Sequence, residues 1–325
     1  MFVHQSVLLA EAIAGLAIKK SGIYVDATFG RGGHSRAILE KLGPTGRLIA
    51  IDLDPEAIAV AKKSPFFSDT RFEIVQASFS ELETLISQRD WLGQVDGVLL
   101  DLGVSSPQID DPARGFSFMR EGPLDMRMNP ATGIDAMTWI NGASASDIAT
   151  VLFDYGEERF SRRIAQAIVH ARDAVQIKTT TQLADIIKSA NPSREKNKHP
   201  ATRSFQAIRI FINKELDELK TCLPQAVNAL KVGGRLSVIS FHSLEDRIVK
   251  QFIQRESKGD DLPPHFPVSP DQMKNRLRKI GSSVLPSDIE IKNNPRARSA
   301  RLRIAEKISA INKQRAATTR ERIKT

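Results

Sequence analysis

The residues whose types and spacing point most clearly to chemistry are a glycine loop and two carboxylates. Asp26 lies just before the loop of residues 30–33 (Gly-Arg-Gly-Gly), and Asp52 follows the loop. Glycine lets the backbone approach a ligand at positions where a side chain would collide with it. An acid about 20 residues beyond such a loop can accept hydrogen bonds from both hydroxyls of a ribose. The pattern predicts a nucleoside pocket.

The loop does not match the two common phosphate-binding patterns. The dinucleotide fingerprint G-x-G-x-x-G would need glycine or alanine at Ser35, and the phosphate loop G-x-x-x-x-G-K-[ST] is absent. Asp26 suits a cationic ligand without a pyrophosphate, either by holding an ammonium group or by organising the loop. We therefore predict S-adenosylmethionine, with its ribose on Asp52. A plain glycine turn is the alternative.

Alternating strands and helices are predicted to position these residues. Strands are expected to end at Asp26 and to cover residues 48–51, 73–77 and 96–102, with a helix over about 35–42. This alternation is typical of a parallel sheet covered by helices on both faces, which binds ligands outside the carboxyl ends of its strands. Asp101 is expected at that edge. Phe79 is expected there too, against an adenine ring, or else in the core.

The alternation stops between residues 107 and 213, which carry helical spacing instead. A helical pattern runs over 145–175, with Ile164, Ile168, Ala171 and Val175 on one stripe. A second helix is predicted over 181–189, and a third begins after Pro200 with Phe211, Leu216 and Leu219 on its apolar side. We interpret the whole segment as a helical domain inserted after the fourth strand.

The strand pattern then resumes. Residues 235–242 are predicted as the next strand of the sheet, after a turn over 231–234. Residues 289–291 and 299–305 alternate enough to be predicted as a closing antiparallel pair.

Composition limits the class of protein. The 325 residues allow two cores, and 47 basic against 38 acidic residues give a net charge of +9. Ten basic residues fall within 296–324; such a basic end is typical of a protein that binds nucleic acid, although the last dozen residues could simply be solvated. Cys222 is the only cysteine, which excludes a disulfide framework, and no histidine spacing indicates a metal site. No apolar run or signal core is present, so we expect a cytoplasmic protein with no membrane partner.

Three polar clusters follow predicted strands and are candidates for catalysis. They cover residues 101–106 with Gln108 just beyond, residues 240–246, and residues 294–299. Loops on a rigid scaffold commonly carry function. For Ser240 and His242 the alternative is a helix cap with a satisfied imidazole. A Ser-His-Asp hydrolase is disfavoured because no G-x-S-x-G elbow accompanies these residues.

Several longer motifs occur together and in order. They are Thr28-Phe-Gly-Arg-Gly-Gly-His-Ser35, Asp101-Leu-Gly-Val-Ser-Ser-Pro-Gln108, Arg114-Gly-Phe-Ser-Phe118, Gly122-Pro-Leu-Asp-Met-Arg127, His199-Pro-Ala-Thr-Arg203 and Ser240-Phe-His-Ser-Leu-Glu-Asp-Arg247. With these motifs the chain resembles the bacterial family called ribosomal RNA small subunit methyltransferase H, from about His4 to Lys307. Only the tail after Lys307 lies outside the pattern.

The resemblance implies methylation of the exocyclic N4 of a cytidine in the decoding region of 16S rRNA, with S-adenosylmethionine as donor. The cofactor contacts that it implies are Gly32, Gly33, His34, Asp52, Phe79, Asp101 and Gln108. Asp26 then becomes a supporting contact. The implied partner is 16S rRNA or the small ribosomal subunit. The oligomeric state stays open, a homodimer being one option.

Candidate catalytic and RNA-binding residues follow from the same clusters. The proton acceptor for the amine is left open among Asp101, Ser105 and the cluster at 240–246, with Asp101 preferred and Ser240 and His242 helping to hold the base. Basic residues that could bind flanking phosphates are Arg194, Lys196, Lys198, Arg203, Arg296 and Arg298. Solvated charge is the alternative for each of them.

The expected fold is therefore α/β, a Rossmann-like S-adenosylmethionine-dependent methyltransferase core with a mostly parallel seven-stranded sheet and an inserted all-helical domain. The expected boundaries are 1–106 and 214–307 for the core, 107–213 for an RNA-recognition insertion, and 308–325 for a basic tail. The alternative functions are a nicotinamide-dependent oxidoreductase and a non-catalytic RNA-binding factor of ribosome assembly.

Overall fold

The computed structural model describes residues 6–192, 199–258 and 275–308, apart from the side chains of Phe66 and Phe67. The chain divides into two compact units, Met1–Leu102 with Glu218–Thr325 and Gly103–Asp217. We call them the sheet unit and the helical unit, and each has its own hydrophobic core.

The sheet unit is built on seven strands in the order β3-β2-β1-β4-β5-β7-β6. β1 to β5 run parallel, and β7 is antiparallel to both of its neighbours. This confirms the predicted mostly parallel seven-stranded α/β sheet. The strands are β1 (Ile23–Asp26), β2 (Arg47–Asp52), β3 (Phe72–Gln76), β4 (Val95–Asp101), β5 (Leu230–Ser240), β6 (Leu277–Val284) and β7 (Arg301–Lys307).

Helices cover both faces of this sheet because successive strand residues point to opposite sides. In β4, Val98 and Leu100 join one core while Leu99 joins the other, and all three are fully buried. Both faces of β4 are therefore apolar over these residues, and its carboxylates Asp96 and Asp101 lie near its two ends. The helices are α1 (Leu9–Leu16), α2 (Gly33–Lys41), α3 (Pro55–Lys63), α4 (Leu82–Ser87), α11 (Glu215–Ala229), α12 (Ser243–Lys258) and α13 (Asp288–Asn293).

In its described residues the helical unit has six α-helices and a core of its own. They are α5 (Ser106–Asp110), α6 (Ala136–Gly142), α7 (Ala145–Gly156), α8 (Ser161–Ala174), α9 (Thr180–Ala190) and α10 (Thr202–Ile212). Within the described part of this unit the one β-type pairing is the isolated bridge between Pro123 and Thr179.

Two predicted helices are interrupted. The run over 145–175 is two helices, α7 and α8, because Glu157 takes a left-handed conformation with φ 49°. Val175 follows the end of α8 and is 70% exposed, so its place on the buried stripe was wrong. Lys214, with φ 51°, likewise ends the third run, and this puts Leu216 and Leu219 on α11.

The predicted strand at residues 289–291 is also wrong. These residues lie in α13, where the Ser287 hydroxyl accepts the N–H of Glu290 at 3.2 Å and caps the helix. The alternation there did not reflect burial, since Ile289 is 75% exposed. The antiparallel partner of β7 is instead β6.

A search of the described helices for a membrane span found none of sufficient length and apolarity.

Gly122 tests how tightly the helical unit is packed. A Cβ at this position would collide with the backbone carbonyl of Pro112, which cannot rotate away as a side chain could. We expect Gly122→Ala to lower the free energy of unfolding by about 1–3 kcal/mol, the usual cost of overpacking. Urea denaturation of the purified variant measures this.

Gly142→Ala is the matched control, because a Cβ there meets no atom within 4 Å and Gly142 lies in α6. It should leave stability unchanged or raise it slightly, since alanine favours a helix. Equal stability of the two variants would contradict the packing argument.

Candidate active site

Asp26 ends β1 and organises the glycine loop from within. Its side chain is fully buried, and its two oxygens accept hydrogen bonds from the Thr28 N–H (3.2 Å) and the Ser35 hydroxyl (2.6 Å). Burial is the main cause that raises the pKa of Asp26 to about 6, and these hydrogen bonds oppose it. Asp26 was predicted either to hold an ammonium group or to organise the loop, and these two hydrogen bonds organise the loop.

Glycine is required at several points of the turn into α2. Gly30 and Gly32 have φ values of 55° and 76°, which residues with a side chain rarely adopt. A Cβ on Gly30 would meet nothing within 4 Å, so the backbone there borders open space. A Cβ on Gly33 would instead collide with the Ser6 hydroxyl. The loop therefore exposes backbone on one side and packs closely on the other.

Asp52 ends β2 and connects two turns. Its oxygens accept the N–H groups of Gly30 (2.7 Å) and Asp54 (2.9 Å). Each carboxylate oxygen has two lone pairs, so each keeps an acceptor position for a ligand hydroxyl. Burial raises the pKa of Asp52 to about 6, with smaller contributions from the charges of Asp54 and Asp26.

Asp101 ends β4 beside the loop. Its N–H donates to the Thr28 hydroxyl at 2.6 Å, and its Oδ2 lies 3.6 Å from Nδ1 of His34, which is buried in the first turn of α2. Among the described residues its Oδ1 is buried without a hydrogen-bond partner. Burial raises the pKa of Asp101 well above its usual value, and the carboxylates of Asp26 and Glu245 raise it further.

Ser240 and His242 follow the end of β5. The Ser240 hydroxyl donates to the Arg301 carbonyl at 3.3 Å. The His242 carbonyl accepts the N–H of Asp246 at the start of α12, and its Nε2 lies 3.1 Å from Glu245 Oε1. Glu245 is 2% exposed and its other oxygen accepts the Phe241 N–H at 2.8 Å. His242 thus lies at the start of α12 beside a buried acid, and its Nε2 has no hydrogen-bond partner among the described residues.

Phe79 lies in a short 3₁₀ turn after β3, Phe79–Glu81, and is partly buried against the sheet core. The turn is held from both sides of Phe79, because the hydroxyls of Ser78 and Ser80 both donate to one oxygen of Glu218 on α11. The Phe79 ring is therefore fixed near the carboxyl ends of the strands.

The remaining predicted residues are described within their own surroundings. In the helical unit, Gln108 is 6% exposed and its side-chain oxygen accepts the Ser105 N–H at 2.7 Å, and Arg203 on α10 donates to the Glu157 carbonyl at 3.2 Å. In the sheet unit, Arg296 and Arg298 are exposed in a 3₁₀ turn before β7. The predicted contacts Arg194, Lys196 and Lys198 lie outside the described residues.

The structure thus gathers one group of the predicted residues in the sheet unit. Gly32, Gly33, His34, Asp52 and Asp101 lie around the carboxyl ends of β1, β2 and β4. Ser105 and Gln108 belong to the helical unit.

Comparison with known proteins decides the family. A family model described as the MraW methylase family matches residues 1–308. The chain belongs to this family. Ribosomal RNA small subunit methyltransferase H of Coxiella burnetii (strain RSA 493 / Nine Mile phase I) is 60% identical over 309 residues, or 95% of this chain and 100% of the relative. The protein of the same name from Hydrogenovibrio crunogenus is 57% identical over 305 residues, or 94% and 96%.

The chain is also similar to a solved structure, the putative rRNA-methylase from Clostridium thermocellum. The TM-score is 0.43 at 13% identity, covering 96% of this chain and 100% of that one. A likeness this distant does not bear on the site.

Family membership confirms the predicted methylase and its donor, S-adenosylmethionine, and makes the oxidoreductase alternative wrong. The residues present fit this donor. Gly30 borders open space, the amides of the α2 N-terminus are near, and buried carboxylates surround the loop. A cationic sulfonium suits this acidic lining, whereas a pyrophosphate would be repelled.

Three residues with roles at the site were not singled out from the sequence. In the sequence Ser35 is only a departure from the dinucleotide fingerprint, whereas in the structure its hydroxyl donates a hydrogen bond to Asp26. Glu245 and Glu218 lie on helices, where an acid is normally solvated. No local sequence signal distinguishes Glu218, because its role depends on pairing with Ser78 and Ser80, which are distant in the chain. Glu245 instead contacts Phe241 and His242, within the same polar cluster.

The raised pKa of Asp52 leads to a pH prediction. In the ligand-free protein the neutral carboxyl predominates below about pH 6, so a cationic ligand loses its charged acceptors as the pH falls through that value. We expect the affinity for S-adenosylmethionine to fall between pH 7 and pH 5.5, and Asp52→Asn to lower it about tenfold at pH 7.5 and to flatten the profile. Calorimetric titration measures both. An unchanged affinity in the variant would place the ribose elsewhere.

Glu218 leads to a second prediction. Glu218→Gln removes the charged acceptor shared by Ser78 and Ser80 and should loosen the Phe79 turn. We expect the KM for S-adenosylmethionine to rise several-fold with little change in kcat, because Glu218 holds the turn and takes no part in the reaction. Steady-state kinetics checks this. Glu81→Gln is the matched control, since Glu81 is exposed on the same turn and accepts a hydrogen bond from the Ser78 N–H. Equal effects of the two changes would contradict the role of Glu218.

Proposed function

We propose that this protein transfers a methyl group from S-adenosylmethionine to the exocyclic N4 of a cytidine in the decoding region of 16S rRNA. The curated relatives carry the name of a small-subunit rRNA methyltransferase, and the similarity extends over nearly the whole of both chains. The observation that carries the proposal is the buried Oδ1 of Asp101 next to the glycine loop, which has no hydrogen-bond partner within the described part of the chain.

The nitrogen of the reaction needs such an acceptor. The N4 lone pair of cytosine is delocalised into the ring, so the amine is a weak nucleophile and must lose a proton as its bond to the methyl group forms. S-adenosylmethionine supplies an activated methyl group on a sulfonium. A carboxylate can accept one amine hydrogen, orient the lone pair and take the proton.

Asp101 has the properties of this acceptor. A raised pKa makes its carboxylate a stronger base than a solvated aspartate, and its backbone is fixed by the hydrogen bond to Thr28. Ser240 donates its hydroxyl to the Arg301 carbonyl and His242 lies beside Glu245, so both suit a positioning role. Ser105, on the helical unit, remains a further candidate.

The substrate must present its base outside a duplex, because a paired cytosine cannot bring its amine to a buried methyl group. Arg296 and Arg298 are exposed, and we propose that they bind flanking phosphates. We propose the same role for Arg203, because its hydrogen bond to the neutral Glu157 carbonyl does not compensate its charge. We propose residues 107–213 as the RNA-recognition domain. The buried carboxylates around the glycine loop disfavour a non-catalytic assembly factor, since burying such groups costs stability and a cationic cofactor would offset that cost.

A variant at Asp101 tests the proposal. Asp101→Asn keeps the shape of the side chain but removes the base, and we expect kcat to fall at least about a hundredfold on small-subunit substrate. Asp90→Asn, an exposed carboxylate of the same unit, is the control and should behave as wild type.

Mass spectrometry of 16S rRNA gives the decisive readout in cells. A strain lacking the protein should lack N4 methylation of the cytidine, wild-type protein should restore it, and Asp101→Asn should not. Unchanged N4 methylation in the deletion strain would reject the proposed substrate.

A further inference from the structure

The sheet unit contains a second concave surface, which we call the basic groove. It lies where α12 packs beside β6 and β7, and its cavity measures about 280 Å³. Three isoleucines, Ile253, Ile280 and Ile304, form its apolar lining. Its polar lining includes Lys250, Lys258, Lys279, Arg303, Ser257 and Ser282.

The charge of the basic groove has one sign. Four of its lining residues are basic and none is acidic. The nearest compensation is Asp246, which accepts two hydrogen bonds from Arg303 (2.7 and 3.0 Å) and also lies 3.8 Å from Arg301. One carboxylate therefore serves two guanidiniums. Within the described part of the chain, none of the three lysines forms an ion pair.

Two features of the lining concern its polar groups. Ser257 lines the cavity, and its hydroxyl has no hydrogen-bond partner among the described residues. In β6 the register moves from Ile280, opposite Ile304, to Val284, opposite Leu302. Residues 281–283 therefore bulge out of the ladder, with Gly281 at φ 63° and Ser282 exposed. Bulges of this kind redirect side chains at a sheet edge.

We propose that the basic groove binds the sugar–phosphate backbone of a single-stranded segment of the RNA substrate. Lysines at the rim match phosphate charge, hydroxyls match phosphate and ribose oxygens, and the isoleucine floor accepts the apolar face of a ribose or base. A free inorganic anion has no apolar surface to bury against the three isoleucines, so the groove suits a nucleotide better. None of the residues that line the groove is among the predicted cofactor or RNA contacts. Two of them, Arg303 and Ile304, lie on β7, the strand that follows Arg296 and Arg298.

The inference rests on the proposed rRNA substrate but can fail separately from it. The test compares two triple variants of equal charge change. Lys250→Gln, Lys258→Gln and Lys279→Gln remove the groove lysines, whereas Lys20→Gln, Lys41→Gln and Lys62→Gln remove three exposed lysines elsewhere on the sheet unit. Binding of a fluorescent single-stranded decoding-region RNA is measured over a range of salt concentrations, with calorimetric titration of S-adenosylmethionine as a check on the fold.

Each phosphate contact to a single strand contributes about 0.7 to the slope of log affinity against log salt, so loss of three contacts should reduce that slope by about 2. The groove variant should show this reduction and a raised KM for the RNA, with unchanged cofactor affinity. The control variant should change the slope by less than one contact. Equal slopes in the two variants would overturn the inference.

A single substitution provides a second test in case the triple groove variant does not fold. Ser282→Glu places a carboxylate on the exposed bulge, outside the strand pairing, and should also weaken RNA binding. RNA affinity equal to wild type in this variant counts against the groove. If wild-type protein methylates the small subunit while the groove variants bind RNA normally, the inference fails and the proposed function stands. If wild type transfers no methyl group, the proposed function fails instead.

Discussion

A fully buried carboxylate, Asp26, is the constraint on which the cofactor site depends. A charge removed from water must be met by hydrogen bonds, and Asp26 obtains them from Thr28 and Ser35 on the two sides of the glycine loop. Those bonds fix the turn that leads into α2. Thr28 in turn accepts the N–H of Asp101, so the same turn positions the end of β4. The buried side chain of Asp26 thereby fixes the position of the glycine loop relative to Asp101.

Acidic residues accumulate around this point because three parallel strands end there. Asp26 and Glu245 raise the pKa of Asp101, and Asp26 contributes to the raised pKa of Asp52. Repulsion among these groups is unfavourable in the ligand-free protein. A cation in their midst relieves it, so the arrangement favours a sulfonium nucleoside over its neutral product. Such a preference would help product release after each transfer.

Much of the sheet could be predicted from the sequence, because apolar runs ending in Asp26, Asp52 and Asp101 indicate both the strands and the edge where they end in carboxylates. The order of the strands could not be predicted in this way. The errors have a common physical origin. Glu157 and Lys214 end helices in left-handed conformations without glycine, and α13 depends on a cap at Ser287 that outweighs an apparent strand alternation. The supporting acid Glu218 gains its role from Ser78 and Ser80, which are far away in the chain. Local patterns carry no record of such a pair.

The sheet unit is interrupted in the chain, and this has a consequence for folding during synthesis. β4 pairs with β5 only after the whole of residues 103–217 has been made, since Val95 lies opposite Leu230. Closing so long a connection costs conformational entropy that grows with its length, and non-local pairing of this kind slows folding. The helical unit has its own core and can form while the ribosome is still translating the second half of the sheet. A compact intervening unit shortens the effective chain that must be closed, so nascent helices would assist the strands that bracket them.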